Sequence, residues 1–220
     1  DWEAMEAEGL TEDQRLLKEA FTAYGVEDYV VLDKSGIRIA VLGVFGEDSL
    51  ACAPTCALKF RDISEAAADT VKEIRENEAV DMIVCVSHSG TSEEADKSED
   101  EILAKAVPEI DLIVSGHTHT SLHEPIRHGD TYIVSCGSYG RSLGSLSMSR
   151  QAEGRWRMDS YELIPVTEEI PPEPTAQAKI DSLMEKVDST YLTRFGYTTD
   201  QVLAQNDIEF ATSDDLYYTH

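Results

Sequence analysis

At 220 residues the chain is long enough for one full domain, or for one domain and a further segment. An apolar content of 41% with only 7 Pro and 13 Gly excludes a disordered chain. Eighteen Lys and Arg against 43 Asp and Glu give a formal net charge of -25, which excludes nonspecific nucleic-acid or anionic-membrane contact but not a small anionic substrate beside a bound dication.

The first predicted element is a helix over 11–23, opened by a Thr11 cap, with apolar positions at Leu16, Leu17 and Phe21. Two strands follow, Tyr29 to Leu32 and Ile37 to Leu42, joined by the turn Asp33-Lys34-Ser35-Gly36. Residues 47–62 show no clear periodicity. Ser64 is expected to cap a helix with Ala67, Val71 and Ile74 on its inner face, ending near Asn77.

The apolar run Met82-Ile83-Val84-Cys85-Val86 reads as a buried parallel strand, and His88 follows it. After an acidic loop, Ser98-Glu99-Asp100-Glu101 has the form of a capping box opening a helix that Pro108 closes. Leu112-Ile113-Val114 is the next strand and leads into Gly116-His117-Thr118-His119. Strand, helix, strand, helix, strand from 37 to 119 is an α/β unit. Beyond it, Pro125-Ile126, Thr131 to Val134, Ser142 to Met148 and Trp156 to Leu163 read as an antiparallel meander that could close or extend the sheet, with turns at Gly129-Asp130 and Gly154. Ile170-Pro171-Pro172-Glu173-Pro174 is a stiff linker. Ile180, Leu183, Met184 and Val187 then fall on one helix face, and Tyr191 onward completes no pattern.

Cys85 and Cys136 lie in apolar runs and are expected as buried thiols. Cys52 and Cys56, with three residues between them, lack the second pair that a structural zinc site needs, and a local disulfide between them is left open. No apolar run is long enough for a membrane span. The chain opens at Asp1 without Met, as a processed or excised chain would.

Three histidines stand out. His88, His117 and His119 each follow the end of a predicted parallel strand, where ligands gather in α/β sheets. Neutral imidazole suits first-row dications. An extended backbone would send His117 and His119 to one side. By spacing alone the three could complete one catalytic zinc site with an open position for water. His123, His128 and His220 lack such placement and read as ordinary polar residues.

At these residues the chain resembles the 5′-nucleotidase branch of the calcineurin-like metallophosphoesterases. The resemblance rests on Asp81 to Gly90 and Asp111 to Thr120. It is supported by Gly129-Asp130-Thr131, by Gly137-Ser138-Tyr139-Gly140-Arg141-Ser142-Leu143-Gly144 and by Tyr161 to Pro165. It implies an α/β fold, part of an α-β-β-α sandwich with the meander and a C-terminal linker helix. It also implies two divalent ions, with Zn, Mn or Fe the best suited, His88 and His117 on one and His119 on the other. The implied chemistry is attack of an activated water on a nucleotide or other small phosphoester, a phosphoric monoester hydrolysis, and the implied location is extracytoplasmic: secreted, periplasmic or cell-surface.

Three earlier motifs of that family, Asp-x-His, Gly-Asp and Gly-Asn-His-Asp/Glu, have no counterpart, so no catalytic residue is assigned. Residues 1–166 are accordingly expected to be the later half of a catalytic domain, 167–190 a linker and interdomain helix, and 191–220 the start of a C-terminal nucleotide-binding domain. The chain alone is expected to be inactive and to self-associate through an exposed sheet face. The competing readings are a single-metal hydrolase using His88, His117 and His119, and a binding module that has lost catalysis.

Overall fold

The structure is a computed structural model that describes residues 2–207. His220 and the end of the expected 191–220 segment lie outside the described residues. The chain divides into two compact units, one up to Thr167 and one from Glu168 onward.

The first unit is built on a six-stranded sheet ordered β1-β2-β3-β4-β6-β5. Its strands are β1 (Tyr29–Lys34), β2 (Ile37–Phe45), β3 (Met82–His88), β4 (Leu112–Ser115), β5 (Ile126–His128) and β6 (Thr131–Val134). The four central strands β2, β3, β4 and β6 are parallel, and β1 and β5 close the edges antiparallel. The Asp33–Gly36 turn forms as expected, with Ser35 and Gly36 both at positive φ (55° and 85°), the geometry of a tight hairpin turn. The meander does not form as one unit. The first two of its predicted strands, β5 and β6, extend the main sheet, because β6 pairs parallel with β4. The last two, β7 (Ser142–Arg150) and β8 (Trp156–Pro165), make a separate antiparallel pair.

Strand alternation gives the main sheet two faces. Ala40, Leu42, Ile83, Cys85, Ile113 and Ile133 point to one, where α4 (Ile63–Asn77) and α5 (Glu99–Ala106) cover them with Ala67, Val71, Ile74, Leu103 and Ala104. Full burial of each large aliphatic chain here contributes roughly 1.5–3 kcal/mol. Met82, Leu112, Tyr132 and Val134 point to the other face, where Trp156, Leu146, Met148 and Met158 of the β7–β8 pair pack. The Trp156 indole N–H donates to the Asp81 carbonyl at 2.9 Å, and the Asp81 carboxylate binds the Arg150 guanidinium, so the hairpin is anchored at one end of β3.

Before the sheet come α1 (Trp2–Glu8) and α2 (Glu12–Tyr24). Thr11 and Gln14 form a reciprocal capping box on α2, and Trp2 packs edge-on against Phe21. Two expected caps differ. Asp62, not Ser64, caps α4: its Oδ1 accepts the N–H groups of Ser64 and Glu65, and a carboxylate is the stronger acceptor there. Ser98 stands at the N-cap of α5, but its buried hydroxyl makes no hydrogen bond, because Asp100 and Glu101 are drawn into longer-range contacts. Cys136 also departs from expectation and is exposed, because its segment turns out of the sheet after Val134. Cys52 and Cys56 are exposed free thiols, and Cys85 is buried.

In the second unit, Glu173 caps α6 (Pro174–Thr190) through the Ala176 N–H at 2.6 Å, with Pro174 at the first helical position. The apolar face of α6, Ile180, Leu183, Met184 and Val187, is exposed to solvent. A short 3-10 turn, Leu192–Phe195, follows it. No helix among the described residues is long and apolar enough to cross a membrane.

Candidate functional site

The carboxyl ends of β2, β3 and β4 lie side by side. Phe45 ends β2 in register with His88, which ends β3, and Ser115 at the end of β4 pairs with Ser87. The His88 and His117 rings face each other here, 5.0 Å between centroids. Phe45 stacks almost parallel on His88, 5.7 Å between centroids and 15° between planes. This limits the rotation of the His88 ring. A cavity of about 440 Å³, lined by Phe45, Phe60, Arg61, Leu50, Glu99 and Ile102 but by neither histidine, opens beside Phe45.

His119 does not join the pair. Its ring packs edge-on against Tyr139, 5.4 Å between centroids. The expected same-side alternation of His117 and His119 fails, because neither backbone is extended. His117 has φ 67° and His119 φ 57°. The Thr118 N–H donates to the Gly116 carbonyl at 2.9 Å, closing a three-residue turn centred on His117. Two residues after His119, Ser121 makes an antiparallel bridge with Cys136. Left-handed backbone at a non-glycine residue costs on the order of 1–3 kcal/mol, and surrounding contacts hold it here. Among the described residues, no set of three or more His, Cys, Asp or Glu side chains is grouped so as to hold a metal ion.

The two histidine loops are knitted together. The Thr118 hydroxyl accepts the Thr91 N–H at 3.2 Å. Gly90 sits at φ 99°, and a Cβ there would come within 2.4 Å of the Thr118 methyl, so only glycine allows the approach. Asp100, fully buried on α5, accepts the Ser87 hydroxyl at 2.5 Å and the Gly90 N–H at 3.2 Å, on either side of His88. Burial pushes the Asp100 carboxyl above the usual carboxylate range, against the pull of these hydrogen bonds.

A short helix in the segment without periodicity completes the site. It is α3 (Glu47–Ala51). The Glu99 carboxylate accepts the N–H groups of Glu47 and Asp48 at 3.1 and 3.0 Å, and Gly46 makes room for it, since a Cβ there would lie 1.9 Å from a Glu99 oxygen. The Ser49 hydroxyl and the Gly46 N–H both donate to the His88 carbonyl. Asp48 is thereby set beside His117, with Oδ2 at 2.8 Å from Nε2. Reading the sequence for motifs missed Asp48, Glu99 and Asp100. The strand-end position of Gly46-Glu47-Asp48-Ser49, like that of the histidines, could have pointed to Asp48, but nothing comparable marks Glu99 or Asp100.

As a donor set, His88 and His117 fit a first-row dication: two imidazoles whose rings converge, with a carboxylate on one of them. This set is smaller than the full shell such an ion takes.

No family model matches the chain. It is 31% identical over 180 residues to the trifunctional nucleotide phosphoesterase protein YfkN of Bacillus subtilis, a match covering 79% of this chain and 12% of that protein. It is 31% identical over 164 residues to a 5′-nucleotidase of Vibrio vulnificus, covering 63% of this chain and 30% of the relative. The crystal structure of a 5′-nucleotidase precursor from Thermus thermophilus has the same fold at TM-score 0.58 and 21% identity, over 74% of this chain and 34% of that one. The chain thus spans less than a third of the curated relatives it matches. Together with the strand-end histidine loops and the mixed sheet, this sequence likeness shows that the chain belongs to the 5′-nucleotidase branch of the metallophosphoesterases.

Proposed function

We propose that these residues form the later part of a metal-dependent phosphomonoesterase site that acts on nucleotides. The observation that carries the reading is the convergence of His88 and His117 at adjacent parallel strand ends, with His117 itself held in a costly backbone conformation. Residues kept in strained backbone at a ligand-binding edge are a functional signal. The similarity to nucleotide phosphoesterases supports the substrate class.

In this reading His88 and His117 donate neutral nitrogen to one divalent ion and His119 donates to a second. Zn, Mn or Fe suits these donors better than Mg or Ca. When bound, such a pair supplies a hydroxide at neutral pH and neutralises charge on phosphoryl oxygens. The chain's own contribution is to orient the imidazoles. Phe45 limits the His88 ring, Asp48 holds His117, and Asp100 fixes the backbone on either side of His88. With a net charge of -25, the surface repels a phosphoester everywhere except where cations sit. The remaining ligands lie outside these 220 residues, and the parent protein works outside the cytoplasm, as the resemblance implies.

The test is titration of the 220-residue chain with Zn and Mn, alongside hydrolysis of 5′-AMP with and without chelator. Weak binding that disappears in His88→Ala and His117→Ala, with little turnover, is the expected result. Binding indifferent to both substitutions would remove the metal reading. Robust chelator-sensitive turnover would instead show that the site is complete on this chain.

A further inference from the structure

We infer that Asp48 is the positioning residue of His117. It fixes which ring nitrogen carries the proton and so which one is free to bind. The inference deepens the proposed metal reading and rests on it only for its consequence, not for its geometry.

Asp48 Oδ2 lies 2.8 Å from His117 Nε2. A carboxylate only accepts, so the proton of the neutral ring belongs on Nε2, and Nδ1 is left with a free lone pair. The contact alone would be weak evidence, since Asp48 is largely exposed. What makes it a built device is the support behind it. The Glu99 carboxylate takes the N–H of Asp48 itself and that of Glu47, fixing the start of α3. Ser49, the next residue, is buried and donates to the His88 carbonyl at 2.5 Å. One helical turn thus holds the His88 backbone and the His117 ring together, and His117 keeps only 15% of its side-chain surface exposed. A carboxylate behind a ligating imidazole raises its basicity and locks its orientation.

The test uses the metal-free 220-residue chain at mildly alkaline pH, where imidazole is neutral. Long-range proton–nitrogen NMR reads the tautomer of His117. The wild type is expected with the proton on Nε2. Asp48→Ala is expected to shift the ring toward a mixture, Glu99→Gln to shift it less, and Asp48→Asn, whose carbonyl still accepts, to restore it. A proton on Nδ1 in the wild type, or a tautomer unchanged in Asp48→Ala, overturns the inference whether or not metal binds. Zn titration separates the two claims. A 10–100-fold weaker affinity in Asp48→Ala is expected. Wild-type binding, however weak, that is unaffected by that change overturns the positioning role while leaving the metal reading intact. Absent wild-type binding with the tautomer shift present removes the metal reading and leaves the positioning role standing.

Discussion

Asp100 accepts the Ser87 hydroxyl at 2.5 Å, from a side chain with no exposed surface. Its other oxygen takes the Gly90 N–H. The two bonds bracket His88 and tie its loop to α5. An amide in place of the carboxylate can accept at one oxygen only, and its NH₂ would face a donor. Asp100→Asn is therefore expected to cost about 1–3 kcal/mol, the range for leaving a buried donor unsatisfied. Urea unfolding followed by circular dichroism measures it. A change within a few tenths of a kcal/mol would show that the loop does not depend on this anchor.

The strands and their histidines were legible because burial writes itself into local pattern. Met82 to Val86 and Leu112 to Val114 are unbroken apolar runs, as central parallel strands tend to be, although Val86 and Val114 near their carboxyl ends are exposed. Ala67, Val71 and Ile74 are the buried residues of α4, at the spacing that the sequence shows. The site's supports were not legible, because they are contacts between distant residues. Asp48 and His117 stand 69 positions apart, and Glu47 and Glu99 stand 52 apart. In a chain with 43 carboxylates, none of these is marked by composition or spacing. The turn at His117 escaped for a related reason. Its left-handed backbone falls on histidines rather than on a glycine, so residue type does not mark it.

Two carboxylates, Asp100 buried and Asp111 half-buried, set an unusual pH response. Burial pushes Asp111 above the ordinary range, as it does Asp100, although Asp111 accepts the Ile83 N–H at 2.8 Å. A raised acid binds its proton more tightly in the folded state than in the unfolded one. Stability from this source rises as pH falls from neutral through the raised value, and it is complete below the ordinary range. Asp81 acts oppositely. The Arg38 N–H, assisted by the Arg150 guanidinium, holds its carboxyl low, and that contribution is lost as pH falls through the lowered value. Unfolding midpoints are expected to rise on mild acidification and to fall at stronger acid. Asp111→Asn keeps an acceptor for Ile83 and has no charge to bury. It should be more stable than the wild type at neutral pH and lose that advantage on mild acidification. A parallel pH profile for the two proteins would contradict this assignment.

The four cysteines should react in two classes. Burial pushes the Cys85 thiol up to about 12, so almost no thiolate is present at neutral pH. Cys52, Cys56 and Cys136 are exposed. Labelling of the reduced native chain with a thiol reagent is expected to modify three sites quickly and Cys85 only on unfolding. Mass spectrometry of the labelled peptides identifies them. Fast labelling of Cys85 would mean that the β3 core opens far more readily than its packing implies.

The sheet face that carries Met82 and Leu112 is covered by β7 and β8 only in part. Val30 and Leu32 on β1, Val86 on β3 and Val114 on β4 share that face by strand alternation and register, and all are exposed, at 39% to 51%. Scattered exposed aliphatics need no explanation, but four on one sheet face form a patch that favours association. The chain is expected to sediment as a concentration-dependent oligomer. Threonine is close to valine in shape and also β-branched, so Val86→Thr with Val114→Thr should leave the strands intact while making the patch more polar. The double variant is expected to dissociate at least about tenfold more readily, which corresponds to about 1.4 kcal/mol of association free energy. Its unfolding midpoint in dilute solution should change little, since neither side chain is in the covered core. If the wild type sediments as a monomer at every concentration, the patch is too small or too dispersed to drive association. If the double variant associates as strongly as the wild type, the contact lies elsewhere on the molecule, and the exposed face of α6, with Ile180, Leu183 and Met184, becomes the surface to change next.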